Sequence, residues 1–174
     1  AMGAVKAVVM DKTGTLTKGD FALRAVSGGE DLLAVAAACE QHSTHPIAAS
    51  IVAAARERGL SLKQPEALEE IAGRGIRAVV DGKTVLCGSG ALLEENNVVF
   101  PAPEAAGTVV LVAVDGSYAG WLQIADSLKE TSAEAVRSLK ASGYATVMLT
   151  GDGTETAEAV AAELGLDSVH AGLL

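Results

Sequence analysis

Apolar and polar positions alternate with two different textures along the chain. A short apolar run, Ala7-Val8-Val9-Met10, predicts a buried strand over 4–10, and the polar, Gly-containing stretch 11–20 predicts a loop behind it. Residues 31–39 are apolar at nearly every position, as in a buried helix. Pro46 opens a second helical pattern reaching about Arg58, with Gly59 placed to end it. Strands are expected over 68–72, 76–80 and 84–87, with Asp81-Gly82 as a hairpin turn, and a short helix over 89–96. A strong strand, 108–114, turns at Asp115-Gly116 into another, 118–124. The period then changes. Residues 127–142 carry Ala133, Val136, Leu139 and the Lys140 stem at helical spacing, ended by Gly143. A strand over 145–149, a helix over 154–164 and a short strand over 168–171 complete the pattern.

The two ends (4–20 and 125–174) therefore alternate strand and helix, as in a parallel doubly wound sheet. The middle (21–124) reads as hairpins plus helices, an antiparallel α+β module inserted between the two parts of the sheet.

Composition narrows the function. The 174 residues are 49% hydrophobic but only 3% aromatic, so the cores are aliphatic. A net charge of −9 argues against nucleic acid and anionic membrane surfaces as partners. No apolar stretch approaches the length of a membrane span, and no signal peptide is read. Cys39 and Cys87 lack metal-ligand spacing and read as reduced core residues. Ala1-Met2-Gly3 reads as a cloning remnant.

The candidate chemistry begins at Asp11. A strand ending in an aspartate puts a carboxylate at the carboxyl edge of a sheet, where open α/β folds bind ligands. With the N–H groups of a Gly turn ahead of it, that carboxylate can attack a phosphoryl group. Asp11-Lys12-Thr13-Gly14-Thr15-Leu16-Thr17 resembles the phosphorylation signature of P-type ATPases, ion pumps that pass through an aspartyl-phosphate. The resemblance implies a haloacid-dehalogenase-like (Rossmann-type) fold. It makes Asp11 the nucleophile, within a catalytic set of Asp11, Lys12, Thr13, Thr150 and Asp152. Phosphatases of that superfamily carry a second aspartate two positions after the nucleophile, as general acid/base. Thr13 stands there and cannot do that work at neutral pH, which favours a pump over a phosphatase. Thr150-Gly151-Asp152 follows a strand as Asp11 does. The resemblance gives Thr150 the transferring phosphoryl group, and Asp152 the positioning of nucleotide and Mg²⁺. Asp126-Ser127-Leu128-Lys129 is similar to the family's Asp-Pro-Leu-Lys hinge, with Ser127 in place of proline.

The middle module resembles that of the heavy-metal pumps. Ser43-Thr44-His45-Pro46 is similar to their Ser-Glu-His-Pro motif, with Thr44 in place of Glu. Gly73-Arg74-Gly75-Ile76 is similar to Gly-x-Gly-Val, and Gly88-Ser89 to a later Gly-Asn. The resemblance implies that ATP binds through Glu40, His45, Gly73, Gly75, Gly88 and Ser89, with adenine at Glu40 and His45. It implies Mg²⁺ held by Asp11 and the Thr13 carbonyl. Trp121 reads as core, His42 and His170 have no evident partner, and the pairs Glu69-Glu70 and Glu94-Glu95 read as solvated faces.

The family carries a phosphate-contacting lysine and a Gly-Asp-Gly-x-Asn-Asp motif beyond the point matching Leu174. The expectation is therefore a fragment, incomplete at the C-terminus of its parallel sheet. It would be the cytoplasmic part of an integral membrane pump whose membrane helices and actuator domain are its partners. Self-association through an open sheet edge, and little stable phosphorylation of Asp11, follow from that expectation. Two alternatives stay open: a phosphatase with a large cap, and a non-catalytic nucleotide-binding module.

Overall fold

The computed structural model describes residues 6–105 and 107–173. The reading of Ala1-Met2-Gly3, and the first residues of the strand expected from residue 4, lie outside them. The chain divides into two compact units, one of residues 1–20 with 126–174, the other of residues 21–125.

The first unit is built on a parallel sheet of β1 (Ala7–Asp11), β8 (Ala145–Leu149) and β9 (Ser168–His170), in the order β1-β8-β9. The register sets Asp11 beside Leu149 and Leu149 beside His170. Helices α4 (Ser132–Ala141) and α5 (Thr154–Leu164) share one core, in which Val136, Met148, Ala157, Ala161 and Leu164 are buried. Both crossovers step the same way across the sheet. Right-handed connections then lay both helices on the same face. β1 is consequently less enclosed than its apolar run suggests. Met10 packs under the helices, while Val9 points away and is 56% exposed. Asp167 ties the end of α5 to the sheet. It accepts from Thr146 N (2.7 Å) and Thr146 Oγ1 (2.9 Å) and pairs with Lys140 Nζ at 3.0 Å. These bonds, the Thr146 backbone N–H foremost, hold its carboxyl below the usual range.

The helix expected over 127–142 begins late, at Ser132. Its first residues extend a strand instead, β7 (Ser117–Leu128). Side-by-side bonds explain the difference. Gly19 N donates to Asp126 Oδ1 (3.0 Å), and Lys129 N donates to the Leu16 carbonyl (3.0 Å). The stretch read as loop over 11–20 likewise becomes strand from Thr17, as β2 (Thr17–Val26). Lys140 uses its ammonium head rather than its stem, reaching the Gly165 carbonyl at 2.8 Å.

The second unit centres on an antiparallel sheet ordered β2-β7-β6-β5-β4-β3. Its further strands are β3 (Ala67–Ile71), β4 (Gly75–Val80), β5 (Lys83–Gly88) and β6 (Thr108–Val114). The hairpin turns are those expected. Asp81-Gly82 and Asp115-Gly116 take positive φ at both positions (52° and 71°, 48° and 76°), as a two-residue hairpin requires. Alternate residues point to opposite faces. Ile76, Ala78, Val80, Val85, Cys87, Val110, Val112, Leu122 and Ile124 meet α1 (Gly29–Glu40) and α2 (Pro46–Glu57). Leu86, Leu111 and Ala113 meet α3 (Gly90–Glu95) on the other face, where half-buried Trp121 also packs. Cys39 and Cys87 are free thiols in the first of these cores.

Candidate functional site

β1 ends at Asp11, whose exposed carboxyl has no ion-pair partner among the described residues. The loop after it is folded on itself. Thr17 N–H and Oγ1 both bond to the Lys12 carbonyl, the latter at 3.1 Å, and Gly14 N–H donates to Thr17 Oγ1 (3.1 Å). Gly14 adopts φ +77°, a left-handed conformation that glycine takes at no steric cost. Lys12 is 8% exposed and its ammonium is paired with the Asp152 carboxylate. Thr150 is buried beyond the end of β8, and its Oγ1 accepts from Asp152 N (3.1 Å). Lys12 and Asp152 are thus joined directly and Thr150 through Asp152, at strand ends that the β1–β8 register sets side by side with Asp11. Thr13 is exposed on the loop. The sequence read Lys129 only as part of a hinge. Its Nζ donates to the Gly14 carbonyl at 2.6 Å and so braces the Asp11 loop.

In the antiparallel unit a cavity of about 320 Å³ is lined by Glu40, His45, Gly73, Gly75, Gly88 and Ser89 together. Six positions scattered from 40 to 89 converge there because α1 ends, α2 begins and the β3–β4 turn and end of β5 meet at one place. His45 caps α2: its Nδ1 accepts from Ile47 N (3.2 Å), so the neutral ring carries its proton on Nε2. Ser89 Oγ is buried with no hydrogen-bond partner among the described residues. Ile47, Ile71, Ile76, Val109 and Val110 supply apolar wall.

The glycines have a sharper requirement than room for a ligand. Gly75 and Gly88 face each other in register across β4 and β5. A Cβ on Gly75 would lie 2.3 Å from the Cys87 carbonyl oxygen, and one on Gly88 would lie 2.2 Å from that of Arg74. Gly75 also holds φ +139° and Gly73 φ +69°. Bare backbone is demanded by the strand pair itself, and the same closeness forms the cavity floor.

Two acidic residues read as solvated are exposed, as expected, and also border this site. Glu70 lines the cavity, and Glu95 pairs with Arg74 of the Gly-Arg-Gly turn (2.9 Å). Alternation along β3 does not flag Glu70, since the strand is exposed at four of its five positions; its place opposite Ile76 is a matter of register. Glu40 is 8% exposed, and burial pushes its carboxyl up to about 7, with Glu70's charge adding to the rise and a hydrogen bond from Cys87 opposing it. Burial likewise pushes the Cys39 thiol up to about 12 and raises that of Cys87, keeping both as thiols. His42 Nε2 lies 3.2 Å from Gln64 Oε1, outside the cavity. The His170 carbonyl serves the sheet end by accepting from Thr150 N (3.0 Å). Among the described residues no group of three or more His, Cys, Asp or Glu could hold a metal ion, and no helix is long and apolar enough to cross a membrane.

A parallel-sheet unit with a carboxylate at its edge, interrupted by an antiparallel unit, is matched along residues 5–172 by the family model of the haloacid dehalogenase-like hydrolases. The chain belongs to that family. Within it, this haloacid dehalogenase-like chain is similar over its whole length to metal pumps. It is 46% identical over 180 residues to a "Zinc-transporting ATPase" of Synechocystis sp., an alignment covering 100% of the chain and 25% of that protein. It superposes on a crystal structure of a zinc-transporting PIB-type ATPase in the E2·Pi state with a TM-score of 0.80 at 37% identity, over 98% of this chain and 29% of that one. The catalytic domain of the CPx-ATPase CopB-B, described for its conformational changes on nucleotide binding, gives a TM-score of 0.78 at 25% identity, over 97% and 62%. The chain spans about a quarter of the length of the curated relative it matches.

Proposed function

We propose that this chain is the ATP-binding and phosphorylation region of a heavy-metal-transporting P-type ATPase. The observation that carries the reading is the convergence of Glu40, His45, Gly73, Gly75, Gly88 and Ser89 on one cavity. Its donor set suits a nucleoside: an apolar wall for a base, a histidine Nε2–H and a buried serine hydroxyl without a partner. ATP is the substrate. Asp11 Oδ attacks the γ-phosphorus, the bond to the β,γ-bridging oxygen breaks, and ADP leaves as the aspartyl-phosphate forms.

Lys12 and Thr150 would stabilise the phosphoryl oxygens by charge and hydrogen bond. Asp152, held by Lys12, would help to position the nucleotide and Mg²⁺. Mg²⁺ near phosphate needs only one or two carboxylates from the protein, and Asp11 with the Thr13 carbonyl are the donors proposed. When bound, it would neutralise charge on the transferring group. Energy released at Asp11 would drive metal movement in membrane helices of a longer protein, with an actuator domain as second partner and this region on the cytoplasmic side. Association of two copies through β1, an edge strand with Val9 exposed, is a further expectation. Sedimentation velocity rising with concentration supports it, and a compact monomer throughout opposes it.

The phosphatase reading loses support from Thr13, which offers no acid/base group. The test of the main reading is calorimetric titration with ATP, and with GTP as control. His45→Ala removes both ring and helix cap. His45→Asn keeps a capping oxygen and removes only the ring. Selective ATP binding that both variants weaken about tenfold supports the proposal, one lost hydrogen bond in a dry site being worth about 1–2 kcal/mol. Equal binding of ATP and GTP, or indifference to both variants, refutes it.

A further inference from the structure

Glu40 is an unusual group to find at the wall of an anion's site. It is almost fully buried, and none of the ion pairs among the described residues includes it. The ionisable groups around the same cavity are His45 at the head of α2, Glu70 on β3 and Arg74 on the β3–β4 turn. Arg74 is engaged by Glu95, and Glu70 adds negative charge. On α1 and β5 the neighbours Cys39 and Cys87 are thiols, and the Cys87 thiol bonds to the Glu40 carboxyl. Among the described residues no ion pair holds Glu40 ionised, and the apolar wall of Ile47, Ile71 and Val110 is a poor solvent for a carboxylate.

The chemistry of the bases gives that environment a consequence. Adenine presents an amino donor beside a ring-nitrogen acceptor. A carboxylic acid matches this pair, its carbonyl accepting and its O–H donating. An ionised carboxylate has acceptors only and opposes the ring-nitrogen lone pair. Guanine presents adjacent N–H donors on its pairing edge, which suit the ionised form.

Resting on the reading that this cavity takes a nucleotide base, we propose that Glu40 recognises adenine as the neutral acid, and that its proton is what selects adenine over guanine. Glu70 and the apolar wall are the groups that keep the proton in place.

The test is the ratio of ATP to GTP affinity, by calorimetry on this chain, from about pH 6 to about pH 8.5. Taking the ratio cancels the titration of the triphosphate, which both ligands share. The ratio is expected to fall about thirtyfold across that range from the loss of the protonated fraction alone, which drops from about nine-tenths to about three-hundredths, and up to about three-hundredfold where GTP takes the ionised form. Glu40→Gln offers the same acceptor and donor without a proton to lose, so its ratio stays high and flat. Glu70→Gln moves the fall to lower pH. On the unaltered chain near pH 8, ATP is expected to take up close to one more proton than GTP, read from binding heats in two buffers of different ionisation enthalpy. A ratio constant across pH, or a fall that persists in Glu40→Gln and so belongs to His45, overturns the inference while leaving selective ATP binding intact. Failure of both nucleotides to bind at every pH overturns the underlying nucleotide reading and this inference with it.

Discussion

In the parallel unit the reactive groups stand on loops beyond strand ends and are held by charge: Lys12 by Asp152, and the Gly14 carbonyl by Lys129. In the antiparallel unit the candidate groups ring a cavity, and what shapes it is backbone laid against backbone at Gly75 and Gly88. The first arrangement leaves Asp11 exposed, as its proposed role of nucleophile toward a phosphate would require. The second buries Glu40 and changes its acidity. Similar carboxylates thus differ in acidity because one is exposed and the other is buried.

The comparison can be broken most sharply at the glycines. Gly88→Ala would set a Cβ 2.2 Å from the Arg74 carbonyl oxygen and 2.8 Å from the Gly75 Cα. Backbone on both sides cannot yield, so a loss of about 3–5 kcal/mol is expected. Denaturant unfolding followed by the fluorescence of Trp121, the one tryptophan, reports it within the antiparallel unit. Gly14→Ala in the parallel unit meets nothing within 4 Å and suffers only its φ of +77°, a cost of about 1–2 kcal/mol. Equal losses at the two positions would mean that close approach does not distinguish the units.

Glu40 gives the next effect. Its carboxyl titrates near 7 in the folded chain against an ordinary 4.5. A raised carboxyl favours the folded state below the ordinary value, and that contribution is lost as pH rises through the folded value. Glu40→Gln is therefore expected to be neutral near pH 4 and stabilising by up to about 3 kcal/mol near pH 8. Equal urea midpoint differences at the two pH values would contradict this.

Lys12→Met removes one partner of a pair whose side chains are 10% and 34% exposed. A loss of about 1–3 kcal/mol is expected, because Asp152 is left partly buried and unpaired. Lys63→Ala breaks the Lys63–Asp81 pair in the antiparallel unit, where both side chains are more than half exposed. There the expected loss is below about 0.5 kcal/mol, within the scatter of a thermal melt. A larger cost for Lys63 than for Lys12 would reverse the account of where charge matters.

Much of this was legible in the chain, for reasons that differ between the units. Asp11 and its loop lie in seven contiguous residues, and the strand-then-carboxylate pattern is local. The two hairpins were signalled by Asp-Gly because only a few residues tolerate positive φ there. The late start of α4 was not legible. Helical periodicity from Ser127 is real, but bonds to Gly19 and Leu16, more than 100 residues away, outweigh it. Glu70 and Glu95 were missed for the same kind of reason. Glu70 meets Glu40 at the end of α1, 30 residues away, and Glu95 meets Arg74, 21 residues away. Burial of Glu40 against Cys87 depends on how α1 lies on β5, which hydropathy does not encode.

ATP is proposed to take the cavity of about 320 Å³ in the antiparallel unit, in preference to a larger one there. The other, about 470 Å³, lies among Leu32, Val35, Val80, Lys83 and Val114. Titrating ATP into ¹⁵N-labelled chain and following amide shifts decides between them. The account predicts shifts concentrated at Gly73, Gly75, Gly88 and Ser89, with Val35, Lys83 and Val114 unmoved. Shifts concentrated at the larger cavity, or none in this unit at saturating ATP, would contradict it.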